Sequence, residues 1–140
     1  MPSVSDVRID ELPQMRDARG VLCVAEFSKF VPFAVVRIYF VRDVPAKSAR
    51  GHHAHHRCSQ YMICQAGRLQ IDIFDGANER RLDLAPGQAV LIKPGIFATE
   101  TYVEPGTLML VLCDRPYEAD DYIHSLDDFQ RAVQPRDGTD

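Results

Sequence analysis

Gln60-Tyr61-Met62-Ile63-Cys64-Gln65-Ala66-Gly67-Arg68-Leu69-Gln70-Ile71-Asp72-Ile73-Phe74-Asp75-Gly76 holds two strand-length runs between turn residues. Tyr61 to Cys64 is apolar without a break, as in a strand covered on both faces. Arg68 to Phe74 alternates polar and apolar residues with the period of two that a pleated backbone imposes. Ala66-Gly67 and Asp75-Gly76 supply the turns. The pattern repeats outward. Val35 to Val41, Ala89 to Ile92 and Thr107 to Cys113 are further runs rich in β-branched or aromatic residues. Arg19-Gly20, Val31-Pro32, Val44-Pro45, Ala85-Pro86-Gly87, Lys93-Pro94-Gly95 and Glu104-Pro105-Gly106 punctuate them. Many short strands joined by Gly/Pro turns predict an all-β sandwich or barrel. Only Ser125-Leu126-Asp127-Asp128-Phe129 offers a helix start, with an N-cap serine and early acidic residues. From about 134 to 140 the chain is polar and is expected to fray.

A chain of 140 residues with 46% hydrophobic content can bury one core and is too short for two ordinary domains, so residues 1–140 read as a single domain. Met1 to Met15 carries Asp6, Arg8, Asp10 and Glu11 where a secretory signal needs an apolar stretch, and no segment reaches the roughly 18 apolar residues of a membrane helix. Cys23, Cys58, Cys64 and Cys113 form no CxxC pair. These features predict a cytoplasmic protein with reduced cysteines. A net charge of −4 speaks against nucleic-acid binding, which wants a basic face. Thirteen arginines against three lysines suit bidentate contacts to phosphate, although a compositional bias toward arginine explains the ratio equally well.

The chemistry is concentrated in Arg50-Gly51-His52-His53-Ala54-His55-His56-Arg57, which contains four of the five histidines. On a strand, His53 and His55 point to one face, while His52 and His56 are expected outside. Two such imidazoles can hold a divalent metal or carry protons near neutral pH. The odd step from His55 to Gln60 requires a tight turn or bulge near Arg57 to Ser59 if Gln60 is to face the same interior.

His53-x-His55, Gln60 and Gly67, followed by Gly87, Pro94 and Gly95, resemble the two signatures of the cupin superfamily. The resemblance implies a single cupin-type jelly-roll barrel with a short C-terminal helix. A metal-binding cupin would add a glutamate at Gln60 and a histidine near Ala98. With two of four ligands missing, the pocket is expected to hold no metal and no other cofactor.

A narrower likeness spans nearly the whole chain. Asp17-x-Arg19-Gly20, Glu26, Val31-Pro32-Phe33, Arg37-Ile38-Tyr39, Arg50-Gly51-x-His53-Ala54-His55, Gln60, Cys64-x-x-Gly67, Asp75-Gly76 and the tail Tyr117 to Ile123 with Asp127 and Phe129 resemble the metal-independent sugar-nucleotide 3,4-ketoisomerases. That family acts on dTDP-4-keto-6-deoxyglucose. One departure is Phe97-Ala98-Thr99, where family members carry an aromatic-basic-Glu segment, commonly Trp-His-Glu. The resemblance implies His53 and His55 as catalytic groups, and Tyr39 and Arg50 as donors at the pocket mouth. Arg37 and Arg19 would meet the sugar or diphosphate, and Gln60 would line the substrate site. Arg19-Gly20 resembles the branch that makes the galacto product.

Moving a ketone from C4 to C3 takes a proton from C3 and returns one at C4 through an enediol(ate), a task suited to imidazole. Phenol or guanidinium donors would stabilise the developing oxyanion. Competing readings are a non-catalytic sugar-nucleotide-binding cupin, favoured by Ala98, a related sugar-nucleotide epimerase, and a metal-dependent dioxygenase, which Gln60 and Ala98 oppose. Exposed sheet edges, with Val21 to Phe30 able to cover a neighbour's edge, predict a homodimer.

Overall fold

The computed structural model describes residues 1–134. One antiparallel sheet runs in the order β1 (Ile9–Glu11), β9 (Gln88–Ile92), β6 (Gln60–Ala66), β11 (Leu108–Cys113) and β4 (Arg37–Val41). The facing sheet runs β12 (Tyr122–Ile123), β5 (Ser48–His55), β10 (Phe97–Tyr102), β7 (Leu69–Phe74) and β8 (Glu79–Leu84). A separate hairpin pairs β2 (Gln14–Asp17) with β3 (Gly20–Cys23). The eight-residue helix α1 (Leu126–Val133) follows, with Ser125 as N-cap accepting from the Asp128 backbone N–H. The expected frayed tail lies, beyond Gln134, outside the described residues.

The all-β jelly roll read from the sequence is present, but as two facing sheets. Among the described residues no ladder closes them into a barrel. Edge strands β4 and β12 stand on opposite sides of a cleft, and Arg37, Tyr39, His53 and Tyr122 occupy the gap a ladder would close.

Inward side chains from both sheets make the main core. Met62, Cys64, Val90, Ile92 and Val111 meet Leu69, Ile71, Ile73, Leu82, Leu84 and Tyr102. Strand β6 is buried on both faces because Leu12, Val31 and Phe30 cover Tyr61 and Ile63 from outside. That is the physical origin of its unbroken apolar run. The other sheet is covered by α1, whose Phe129 is fully buried against Ala54, Phe97 and Ile123. A helix this short is marginal alone, and one buried aromatic contributes on the order of 2–3 kcal/mol toward holding it. This packing brings the segment just before α1 alongside β5. The four cysteines are free. No described helix is long and apolar enough to cross a membrane.

Candidate active site

Strand β5 does not alternate regularly. Ala98 on β10 pairs with His53, yet Thr99 pairs with Gly51, so His52 is an extra residue. Gly51 at φ +92° and His52 at φ +56° form the bulge in the left-handed region. A side chain at Gly51 would meet the Glu100 carboxylate, with Cβ only 2.2 Å from Oε2. Glycine is therefore required there both by conformation and by space. The bulge restores parity: Arg50, opposite the inward Glu100, joins His53 and His55 on the inner face. Simple alternation would have placed Arg50 outside. His52 is exposed, 3.2 Å from Thr99 Oγ1, and His56 is exposed as expected.

After His55 the chain crosses from one sheet to the other in four residues, His56 to Ser59, and enters β6. This crossing is the turn the odd His55–Gln60 spacing demanded. Gln60 is buried, but it stands behind Tyr39 and does not line the cleft. Its Nε2 donates to the Tyr39 hydroxyl at 3.0 Å. The phenol proton of Tyr39 is left free to donate elsewhere. Burial, with the Glu100 charge adding to it, pushes the Tyr39 phenol well above its ordinary value, so it stays a donor.

Tyr122 on β12 pairs with His55 and faces the same way, their ring centres 4.5 Å apart. His53 lies 5.0 Å from both His55 and Tyr122, edge-on. One residue earlier, in the turn Ala119–Asp121, the Asp121 carboxylate meets His55 Nδ1 at 2.7 Å. The same carboxylate accepts from the backbone N–H of Arg57 at 2.6 Å and of Cys58 at 3.3 Å. Burial works to raise Asp121, but the His55 hydrogen bond and these backbone donors hold it below the usual carboxylate range. An ionised carboxylate only accepts, so Nδ1 carries the hydrogen. His55 Nε2, buried and without a partner among the described residues, then presents a lone pair. Burial lowers the His55 pKa more than Asp121 raises it, leaving a neutral base. His53 is pushed down to about 4, by burial first and then by the adjacent His55.

Arg37, Tyr39, Arg50, Gly51, His53, Glu100 and Tyr122 line a cleft of about 270 Å³. The Arg37 guanidinium carbon lies 5.7 Å from the centre of the Tyr39 ring and 5.9 Å from that of Tyr117. Of the sequence candidates, the fold gathers His53, His55, Tyr39, Arg50 and Arg37. Arg19 is not among them: it sits in the turn between β2 and β3, its side chain 91% exposed and paired with Asp17 at 2.6 Å. Four residues of the site escaped sequence reasoning: Glu100, Tyr102, Asp121 and Tyr122. In the sequence, the tail containing Asp121 and Tyr122 stands out only as part of the family pattern. The segment Phe97-Ala98-Thr99 departs from that pattern, yet a glutamate follows it immediately, with its carboxyl facing the cleft.

Among the described residues, His55, Cys58 and Asp121 bring potential ligand atoms within 4.8 Å of one another. A tetrahedral zinc with bonds near 2.1 Å holds its ligand atoms about 3.4 Å apart. The 2.7 Å contact between His55 Nδ1 and Asp121 Oδ2 is a hydrogen bond and too short to be bridged that way.

A jelly roll whose mouth carries a carboxylate-oriented imidazole beside arginines and a phenol is built for proton transfer on an anionic ligand. Residues 5–134 match the family described as "FdtA: WxcM-like, C-terminal", and the chain belongs to it. The TDP-4-oxo-6-deoxy-alpha-D-glucose-3,4-oxoisomerase of Aneurinibacillus thermoaerophilus is 28% identical over 118 residues, covering 84% of this chain and 85% of that protein. A 3,4-ketoisomerase from Helicobacter canadensis superimposes with TM-score 0.85 and 31% identity, over 91% of this chain and 97% of the other. A TDP-quinovose 3,4-ketoisomerase from Campylobacter jejuni gives TM-score 0.83 and 31% identity, over 91% and 99% of the two chains.

Proposed function

We propose that this chain is a 3,4-ketoisomerase converting dTDP-4-keto-6-deoxyglucose to a dTDP-3-keto-6-deoxyhexose. The observation that carries the reading is the His55–Asp121 pair with Nε2 free beside the cleft. His55 takes the C3 proton, and Asp121 stabilises the imidazolium that forms. His53, neutral and on the cleft wall, packs edge-on against His55 and helps to position the sugar ring. Tyr39 and Arg50 supply donors to the enediolate oxygens, and Arg37 binds the anionic part of the substrate. Gln60 acts through Tyr39 by occupying its acceptor side. No metal or other cofactor takes part, in keeping with the amide at Gln60 and the methyl at Ala98.

The protein works in the cytoplasm as a homodimer. Apolar surface supports the assembly: Val36, Ile38 and Phe40 stand exposed beside the free edge of β4, and Met15, Val21 and Leu22 on the hairpin. Arg19 belongs to that protruding hairpin, so its part in binding depends on a neighbouring subunit. The galacto product is the stereochemical reading.

Incubation with dTDP-4-keto-6-deoxyglucose in D₂O, followed by NMR, tests the function. The expected product is a 3-ketone with deuterium at C4 and a small H4–H5 coupling where protium remains. A large coupling would identify the gluco epimer and refute the stereochemistry alone. Absence of any 3-ketone would refute the activity and favour a binding module.

A further inference from the structure

The transfer from C3 to C4 moves two protons, not one. Besides the carbon-bound proton, the C3 hydroxyl must lose its proton and O4 must gain one. His55 can serve the carbons, but the oxygens need their own carrier: Tyr39, Arg50 and Arg37 are fixed donors, and His53, pushed down to about 4 by burial and the adjacent His55, takes up a proton poorly near neutral pH.

Glu100 meets the requirement. Its carboxyl lines the cleft while its side chain is almost fully enclosed, at 3% exposure. On β10 it shares the inner face with Ala98, the cross-strand neighbour of His53, so it stands one step along the wall from the histidine pair. The groups facing it are Arg50 from β5, Tyr39 from β4, Tyr102 from its own strand and the apolar Ile71 from β7. Among the described residues its carboxyl is engaged by its own backbone N–H and by the charge of Arg50. Gly51 is kept free of a side chain directly against Oε2.

We propose that Glu100 carries the oxygen-bound proton of the reaction, passing it from O3 to O4 while His55 serves the carbons. This deepens, and rests on, the ketoisomerase reading. In the first half, His55 Nε2 takes the C3 proton, the C–H pair becomes the C3=C4 double bond, and the C4=O π pair takes a proton from the Glu100 carboxyl. In the second half, the Glu100 carboxylate takes the O3 proton as the C3=O bond forms, and C4 takes the proton from the His55 imidazolium. Both side chains end as they began, and no outside oxidant or reductant enters. Burial, partly offset by its own backbone N–H and by Arg50, raises Glu100 to about 7, where either direction of transfer is accessible.

The test separates carbon chemistry from oxygen chemistry. Wild type, Glu100→Gln and Glu100→Asp are incubated with dTDP-4-keto-6-deoxyglucose in D₂O. Two rates are read by NMR: 3-ketone formation, and deuterium entry at C3 of recovered substrate. Removing a positioned acid–base group costs about 10²-fold or more in turnover. In Glu100→Gln, Tyr39 and Arg50 still support the enediolate, so exchange at C3 should fall less than about tenfold, and the ratio of exchange to turnover should rise. Glu100→Asp should recover part of the turnover. Parallel loss of both rates, or turnover within about threefold of wild type, would overturn the proposal. Wild type with neither product nor exchange would instead sink the ketoisomerase reading, and this proposal with it.

Discussion

Replacing Asp121 by asparagine tests the centre of the site with little change of shape. Asp121 receives three hydrogen bonds, from His55 Nδ1 at 2.7 Å and from two backbone N–H groups at 2.6 and 3.3 Å. The asparagine carbonyl can keep a backbone donor, but its amide nitrogen then confronts Nδ1. Two donors cannot share that contact, so the imidazole turns to the tautomer with hydrogen on Nε2 and ceases to be a base. The loss should approach that of the base itself, about 10²–10⁴-fold in kcat, equivalent to roughly 2.7–5.5 kcal/mol of barrier. Substrate binding should change little, because Asp121 does not line the cleft. Stability should fall by about 1–3 kcal/mol, the range for one lost charge-assisted hydrogen bond, and thermal melting will show whether the fold persists. Steady-state kinetics on folded Asp121→Asn supply the decision. A kcat within about threefold of wild type would refute the argument that this carboxylate sets the tautomer.

His53→Asn and His55→Asn should each lower turnover by about 10²-fold or more with the fold intact, whereas His52→Asn, on the outer side of the bulge, should be mild. Folding stability should decline as pH drops from the ordinary histidine value of 6.5 toward about 4, since unfolded His53 gains a proton that the folded protein excludes. Denaturation at several pH values should show this decline reduced in His53→Asn. Asp121, held below the usual carboxylate range, stabilises the fold above that range and loses its contribution as pH falls through its folded value, so Asp121→Asn should remove an acid limb at lower pH. Protein treated with EDTA should keep its activity; loss on chelation, restored by one particular ion, would contradict the metal-free mechanism.

Local chemistry in the sequence determined much of this fold. The expected runs at Val35–Val41, Gln60–Cys64, Arg68–Phe74, Ala89–Ile92 and Thr107–Cys113 correspond to β4, β6, β7, β9 and β11, and Ser125 caps α1, the one α-helix among the described residues. Strand β8, with Glu79-Arg80-Arg81 at its start, and β10, with Thr99 and Thr101 on its outer face, carry too little apolar pattern to be seen, and cross-strand pairing alone makes them strands. Within the site, the His53-x-His55 spacing was legible because period two is a property of the backbone itself. Tertiary structure decided the rest. The bulge at Gly51-His52 lies opposite the step from Ala98 to Thr99 on the neighbouring strand, and it turns Arg50 inward against the apparent parity. Asp121 reaches His55 across 66 positions only because Phe129 anchors α1 on the outer face of the sheet and draws the preceding segment along β5. Glu100 is drawn toward neutrality by enclosure, a condition set by neighbours from other strands and absent from its own segment of sequence.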